Sequence, residues 1–148
     1  MISLFIYLLR IGDDSLIIGH RLSEWCGHGP ILEEDIAMTN IALDFVGQTS
    51  SLLELAGEVE GKGRTNDDLA FLRFDKDYKN LLLVEQPNTD FGFTMKRQFL
   101  FDINVSAIFN FIILFSNDNS SYKPLLVSYD TLLNIMSVSY THLTLPTI

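Results

Sequence analysis

Three side chains able to do catalytic or metal-binding chemistry lie within five positions of the sequence: Glu24, Cys26 and His28. A Cys-x-His pair can bind zinc, and a thiol near an imidazole can act as a nucleophile. Structural zinc takes about four ligands, however, and only His20 stands as a distant third nitrogen or sulfur donor. No further group is placed to orient a base. We therefore expect no metal and no nucleophile here, and interpret "GHGP" (27–30) as a corner between two helices.

A single carboxylate, Asp44, lies in the apolar segment that follows, within "IALDFVG". Asn40 and Gln48 stand one helical turn to either side of it. A buried carboxylate must be hydrogen-bonded or paired, so the plain interpretation is a group that bonds to neighbouring side chains between helices. A second isolated carboxylate, Asp102, lies in "FDINV".

Long helices must position these groups. Apolar residues at helical spacing predict helix 1 over 3–26, and the glycines and proline after it end that helix. Helix 2 is predicted over 31–60, and helix 3, which is apolar nearly all round, over 90–115. One face of helix 2 carries the apolar side chains Leu32, Ile36, Leu43 and Val46.

The remaining segments are less regular. Residues 66–79 are charged and predict a short helix in a long connection. The run "NLLLVEQPN" is open between helix and strand, because it is too short for periodicity to separate the two. A weaker apolar stretch, 125–136, is a candidate fourth helix. Helices with hardly any alternating strand pattern predict an all-α bundle.

Composition disfavours several classes of partner. The chain has 148 residues, 47% of them hydrophobic, and a net charge of -9. This length fits one domain or a fragment of a larger one. The negative charge disfavours nucleic acid and anionic membranes, and neither apolar stretch, at the N-terminus or over 99–115, is long enough to span a bilayer. One cysteine cannot form an internal disulfide, so we expect a cytoplasmic protein.

The last residues have a different character. "SVSYTHLTLPT" (137–147) resembles the translated end of a sequencing-library adapter. We therefore expect the tail 137–148 to lie outside the fold, and we exclude His142 from any site. The helical domain is then expected over 1–136.

Three longer stretches carry a family resemblance: "LLRIGDDSLIIGHRLSEWCGHGPILEEDIAMTNIALDFVGQ", "GEVEGKGRTNDDLAFLRFDKDYKNLLLVEQPN" and "DFGFTMKRQFLFD". They resemble the C-subunit family of bacterial phenylacetyl-CoA epoxidases over roughly residues 4–102, after which the match fades. Members of that family are longer, so we expect an N-terminal portion. The resemblance implies a partial ferritin-like helical bundle. It also implies a multicomponent monooxygenase whose di-iron centre lies in a related A subunit.

A ferritin-like di-iron site needs a Glu from each of two helices and a Glu-x-x-His pair from each of the others. No Glu in this sequence is followed by His three positions later. If the helices are matched by their apolar pattern, the resemblance implies that Asp44 stands where the catalytic relative has its first ligand Glu. A vestigial ligand is therefore the second interpretation of this residue. Asp102 is a further ligand-like position, but Val105 stands where the family tends to have His. We expect no catalytic, cofactor-binding or metal-binding residue in this chain.

The leading hypothesis is therefore a non-catalytic structural subunit that supports the di-iron A subunit and contacts the other subunits of the complex. Two alternatives stay open: an independent di-iron or zinc enzyme, and a helical protein-interaction module unrelated to the monooxygenase. Metal analysis separates the first hypothesis from the second, and co-purification with the A subunit separates it from the third.

Overall fold

A computed structural model describes residues 2–115 of the protein, with side chains from 4 to 108. The described residues form five α-helices and one short 3-10 turn, and they contain no strand. The all-α prediction is confirmed. In chain order the elements are α1 (Ile2–Ser23), α2 (Leu32–Glu60), α3 (Asn66–Phe71), the 3-10 turn (Asp75–Asp77), α4 (Leu82–Glu85) and α5 (Phe91–Phe115).

The three long helices begin and end within three residues of their predicted bounds. The ambiguous run "NLLLVEQPN" is helical at its centre, where it forms α4. The short helix predicted within 66–79 is α3, which ends at Phe71 and is followed by the 3-10 turn. The candidate helix at 125–136 and the tail 137–148 lie outside the described residues.

The chain divides into two compact units, 1–87 and a second that begins at Asn88. In the first unit, α1 packs along α2, α3 packs on α2, and α4 packs on α1. The core between α1 and α2 is apolar, and its most buried side chains are Leu8, Ile18, Leu22, Phe45, Leu52 and Leu53. A Cβ atom on Gly19 would stand 3.2 Å from the Cβ of Phe45, so glycine permits the close approach of the two helices.

The apolar face of α2 that was named from the sequence is not the face that packs on α1. Leu32, Ile36, Leu43 and Val46 are all exposed, whereas Ile41, Phe45 and Leu52 pack inward. α2 has apolar side chains on two faces, and the 3.6-residue period does not say which of them meets α1.

The described part of the second unit is α5 and the short segment before it. The backbone N–H of Thr94 donates to the carbonyl of Asp90, and the N–H of Phe93 donates to the Asp90 carboxylate, so Asp90 begins the helix. One face of α5 departs from the apolar surface that was predicted nearly all round. A buried polar row runs along α5 at four-residue spacing: Thr94, Gln98, Asp102 and Ser106. Among the residues described, no helix is both long and apolar enough to cross a membrane.

Candidate functional site

The corner between α1 and α2 does not bring Glu24, Cys26 and His28 together. The Glu24 carboxylate pairs with Arg21, 2.8 Å away, one turn back along α1. Nδ1 of His28 lies 3.1 Å from the carbonyl oxygen of Cys26, a local contact across two residues. The Cys26 thiol and His20 are exposed. These side chains therefore form neither a zinc site nor a nucleophile with its base.

A different residue, Asp35, holds this corner. The backbone N–H of Gly27 donates to its Oδ1 at 3.0 Å, and that of Gly29 donates to its Oδ2 at 3.4 Å. Gly27 has a φ of 79°, which favours glycine. A Cβ on Gly29 would lie 2.8 Å from the Cα of Asp35, so only glycine lets the loop come this close. Gly27 and Gly29 thus allow their backbone N–H groups to reach the Asp35 carboxylate in the first turn of α2.

The most developed polar cluster is on α1, around Asp13. Its carboxylate is fully buried and receives both terminal nitrogens of Arg73, Nη1 at 3.0 Å and Nη2 at shorter range. The backbone N–H of Lys79 donates to the same carboxylate at 2.8 Å. The Arg73 side chain is 6% exposed and stacks over the ring of Tyr78, with 4.4 Å from its central carbon to the ring centroid. Asp13 therefore ties the connection after α3 to the middle of α1.

Asp14 continues this cluster along the connection. Its Oδ1 accepts the backbone N–H of Leu81 at 2.6 Å, one residue before α4. Burial raises the pKa of Asp14 to about 6, although the hydrogen bond from Leu81 acts in the opposite direction. The neighbouring Asp13 carboxylate also acts to raise this pKa. The two aspartates thus hold residues 73–81 by an ion pair and two backbone hydrogen bonds.

The ligand-like position on α2 has a different environment. Asp44 is exposed, and so is Asn40 one turn before it, whereas Gln48 is buried. In the described residues Asp44 is therefore not the core group that the sequence led us to expect. It lies beside Leu43 on the face of α2 that does not meet α1.

The second ligand-like position, Asp102, is fully buried in α5. Nε2 of Gln98 donates to its Oδ1 at 2.7 Å, one turn back along the helix. Val105, three positions on, is also buried and offers no metal donor. Asp102 thus bonds within its own helix.

These residues do not fit a di-iron centre. The complete sequence has no Glu-x-x-His pair. Within residues 4–108, no group of three or more His, Cys, Asp or Glu side chains could hold a metal ion. One ligand-like carboxylate is exposed, and the other is bonded to an amide.

The role of Asp13 and Asp14 was not predicted from the sequence, although a signal was present. Two adjacent acids in the middle of an apolar helix are unusual, because Asp is almost never fully buried unless it is paired. Their partners are 60 to 67 residues away in sequence, so no local motif identifies them.

The described residues thus define an all-α protein of long helices. Its buried carboxylates accept hydrogen bonds from backbone N–H groups and from an arginine side chain. The chain belongs to the family described as "Phenylacetic acid catabolic protein", whose model matches residues 2–127 and whose fold is a ferritin-like helical bundle. The match extends beyond residue 102, where the resemblance in the sequence fades.

One curated relative is the C subunit of the 1,2-phenylacetyl-CoA epoxidase of Escherichia coli (strain K12). It is 48% identical over 103 residues, which cover 70% of this chain and 41% of the relative. The family resemblance seen in the sequence is confirmed. The chain spans about two fifths of the length of this relative.

Proposed function

We propose that the chain acts as a non-catalytic structural subunit of a phenylacetyl-CoA epoxidase in aerobic phenylacetate degradation. In this role it supports a related subunit that holds the di-iron centre. One observation carries the proposal: none of the seven glutamates in the sequence is followed by His three positions later. Two such pairs, one on each of two helices, are what a di-iron site of this fold class requires.

The use of the buried carboxylates supports the same role. Asp13 and Asp14 hold the connection between α3 and α4, and Asp102 accepts a hydrogen bond from Gln98. Each of these groups contributes to the architecture of the helices. In the proposed complex the chain supplies packing surface, and the partner supplies iron and the oxidation chemistry.

The first test measures metal in the purified 148-residue chain after anaerobic incubation with Fe(II), and separately with Zn(II). We expect far less than one metal ion per chain. One or two irons per chain, lost on Asp44→Ala or Asp102→Ala, would contradict the proposal and favour an independent di-iron enzyme. A stoichiometric zinc ion, lost on Cys26→Ala, would instead favour a zinc protein.

The second test is co-expression with the catalytic subunit of the Escherichia coli epoxidase. We expect the two chains to elute together and the iron to follow the catalytic subunit. A catalytic subunit that elutes alone, with this chain folded in a separate peak, would favour an unrelated helical interaction module.

A further inference from the structure

The exposed side of α2 carries a row of apolar side chains, interrupted at its middle by Thr39. Leu32, Ile36, Leu43 and Val46 are between 44% and 71% exposed. At about 100° per residue they fall within an arc of about 80°, and the row extends over about 21 Å of helix. We call these four residues the α2 stripe. Its length and spacing match the anchors by which one helix binds another.

Carboxylates border this stripe on one side. Glu33 and Asp44 lie along its edge, and Glu54 and Glu58 continue the same side of the helix toward its C-terminus. All four carboxylates are exposed. α2 contains seven Asp and Glu residues and no Lys, Arg or His. The stripe is therefore an apolar surface with a negative edge, and no cation on its own helix neutralises that edge.

We propose that the α2 stripe binds an amphipathic helix of a second polypeptide, and that Lys or Arg residues border the apolar face of that helix. The apolar side chains would supply the contact area, while the cations opposite Glu33 and Asp44 would steer the encounter and fix the register. A second copy of this chain is disfavoured, because each copy carries a net charge of -9 and the same acidic edge. An anionic membrane is disfavoured for the same reason.

This inference rests on the proposed function only for the identity of the partner, a companion subunit of the epoxidase. It gives the exposed carboxylate of Asp44 a role in binding the partner. The carboxylate would meet a cation of the partner at the rim of an interface, where such groups act mainly on the association rate and its salt dependence.

The test measures binding of the chain to the catalytic subunit of the Escherichia coli epoxidase by surface plasmon resonance. Leu43→Asp puts a charge in the middle of the stripe and should weaken binding at least about tenfold. Leu72→Asp is the matched control, because Leu72 is 76% exposed but lies outside α2. It should change the affinity by less than about twofold. Equal affinity of the Leu43→Asp variant and wild type would overturn the proposal.

A charge-reversal variant tests the chemistry of the partner. Glu33→Lys combined with Asp44→Lys should lower the association rate about tenfold at low salt. The difference from wild type should shrink at high ionic strength, because salt screens exposed charges. A faster association of this variant would show that the partner surface is acidic and would overturn the proposal.

Synthetic peptides separate this proposal from the proposed function. Two helical peptides of about 18 residues share leucines at the anchor spacing and differ only in flanking Lys or Glu. Wild type should bind the Lys peptide at least about fivefold more tightly than the Glu peptide, and Leu43→Asp should abolish the preference. If the chain fails to bind the catalytic subunit, the proposed function falls, and the peptides alone decide this inference. Equal binding of both peptides, or preference for the Glu peptide, would overturn it.

Discussion

The aspartates of α1 and α2 occupy opposite environments. Asp13 is fully buried, with an arginine and a backbone N–H on its carboxylate. Asp44 is exposed, beside the apolar stripe of the next helix. Both lie in apolar helical segments, and the sequence alone singled out only Asp44. Asp44 stood out in the sequence because its position resembles that of a metal ligand, but the fold depends on Asp13.

The reason is the distance of the partners along the chain. Arg73 and Lys79, which hold Asp13, lie in an irregular connection 60 and 66 residues away. Burial without such partners would cost several kcal/mol, so the connection and the aspartate must be ordered together. Asp44 needs no partner to remain in water, and the role proposed for it concerns other molecules.

The largest effect is expected at Asp13. Asp13→Ala leaves the Arg73 guanidinium buried without its carboxylate, which costs roughly 3–5 kcal/mol. Urea denaturation of the 148-residue chain measures this loss as a lower midpoint at unchanged slope. Combining the change with Arg73→Met should recover part of the loss. A free energy of unfolding within about 0.5 kcal/mol of that of wild type would show that the fold depends on Asp13 no more than on Asp44.

A smaller loss is expected at the corner before α2. Asp35→Ala removes the acceptor of the Gly27 and Gly29 N–H groups, and hydrogen bonds to a charged group contribute about 1.5–3 kcal/mol. Glu33→Ala, two residues earlier, is the control, because it removes a carboxylate from the same first turn without touching the two glycines. Equal stabilities of these two variants in urea would show that the corner does not need the carboxylate.

The pH dependence of stability is expected to show the burial of Asp14. Its pKa is raised to about 6, so the folded chain binds this proton more tightly than the unfolded chain does. Stability relative to Asp14→Asn should therefore rise as the pH falls from about 8 to about 5, by on the order of 1 kcal/mol, and level off below about 4. The Asn variant keeps an acceptor for the Leu81 N–H and lacks the titration. Parallel stability curves for the two proteins would show that burial does not affect Asp14.

The smallest effect is expected at Asp44. Asp44→Ala should change the free energy of unfolding by less than about 0.5 kcal/mol, because the side chain is exposed. The same urea experiment that measures Asp13→Ala measures this variant. A loss comparable to that of Asp13→Ala would mean that Asp44 is buried in solution.

Much of the fold could be predicted from the sequence. Helix positions follow from apolar spacing and from breaks such as 27–30, and those signals are local. The choice of buried face on α2 could not be predicted, because Leu43 and Phe45 are both apolar and only packing on α1 separates them. The polar row of α5 was missed for a related reason: Gln98 and Asp102 are isolated polar residues among apolar neighbours, yet both are fully buried.

The candidate site was predicted less well than the fold. The glycines of the corner were noticed, but Asp35, which they approach, was not. The absence of a Glu-x-x-His pair is visible in the sequence, and it carries the proposed function. The roles of Asp13 and Asp14 required knowledge of which connection folds back on α1.

The central claim, that the carboxylates of this chain serve structure and binding and hold no metal, is tested most directly by urea unfolding with and without Fe(II) under anaerobic conditions. A ligand that binds the folded state stabilises it by about 2.7 kcal/mol at about a hundred times its dissociation constant. We expect the same unfolding midpoint at every Fe(II) concentration, in wild type as in Asp44→Ala and Asp102→Ala. A midpoint that rises with Fe(II) in wild type but not in either variant would contradict the claim.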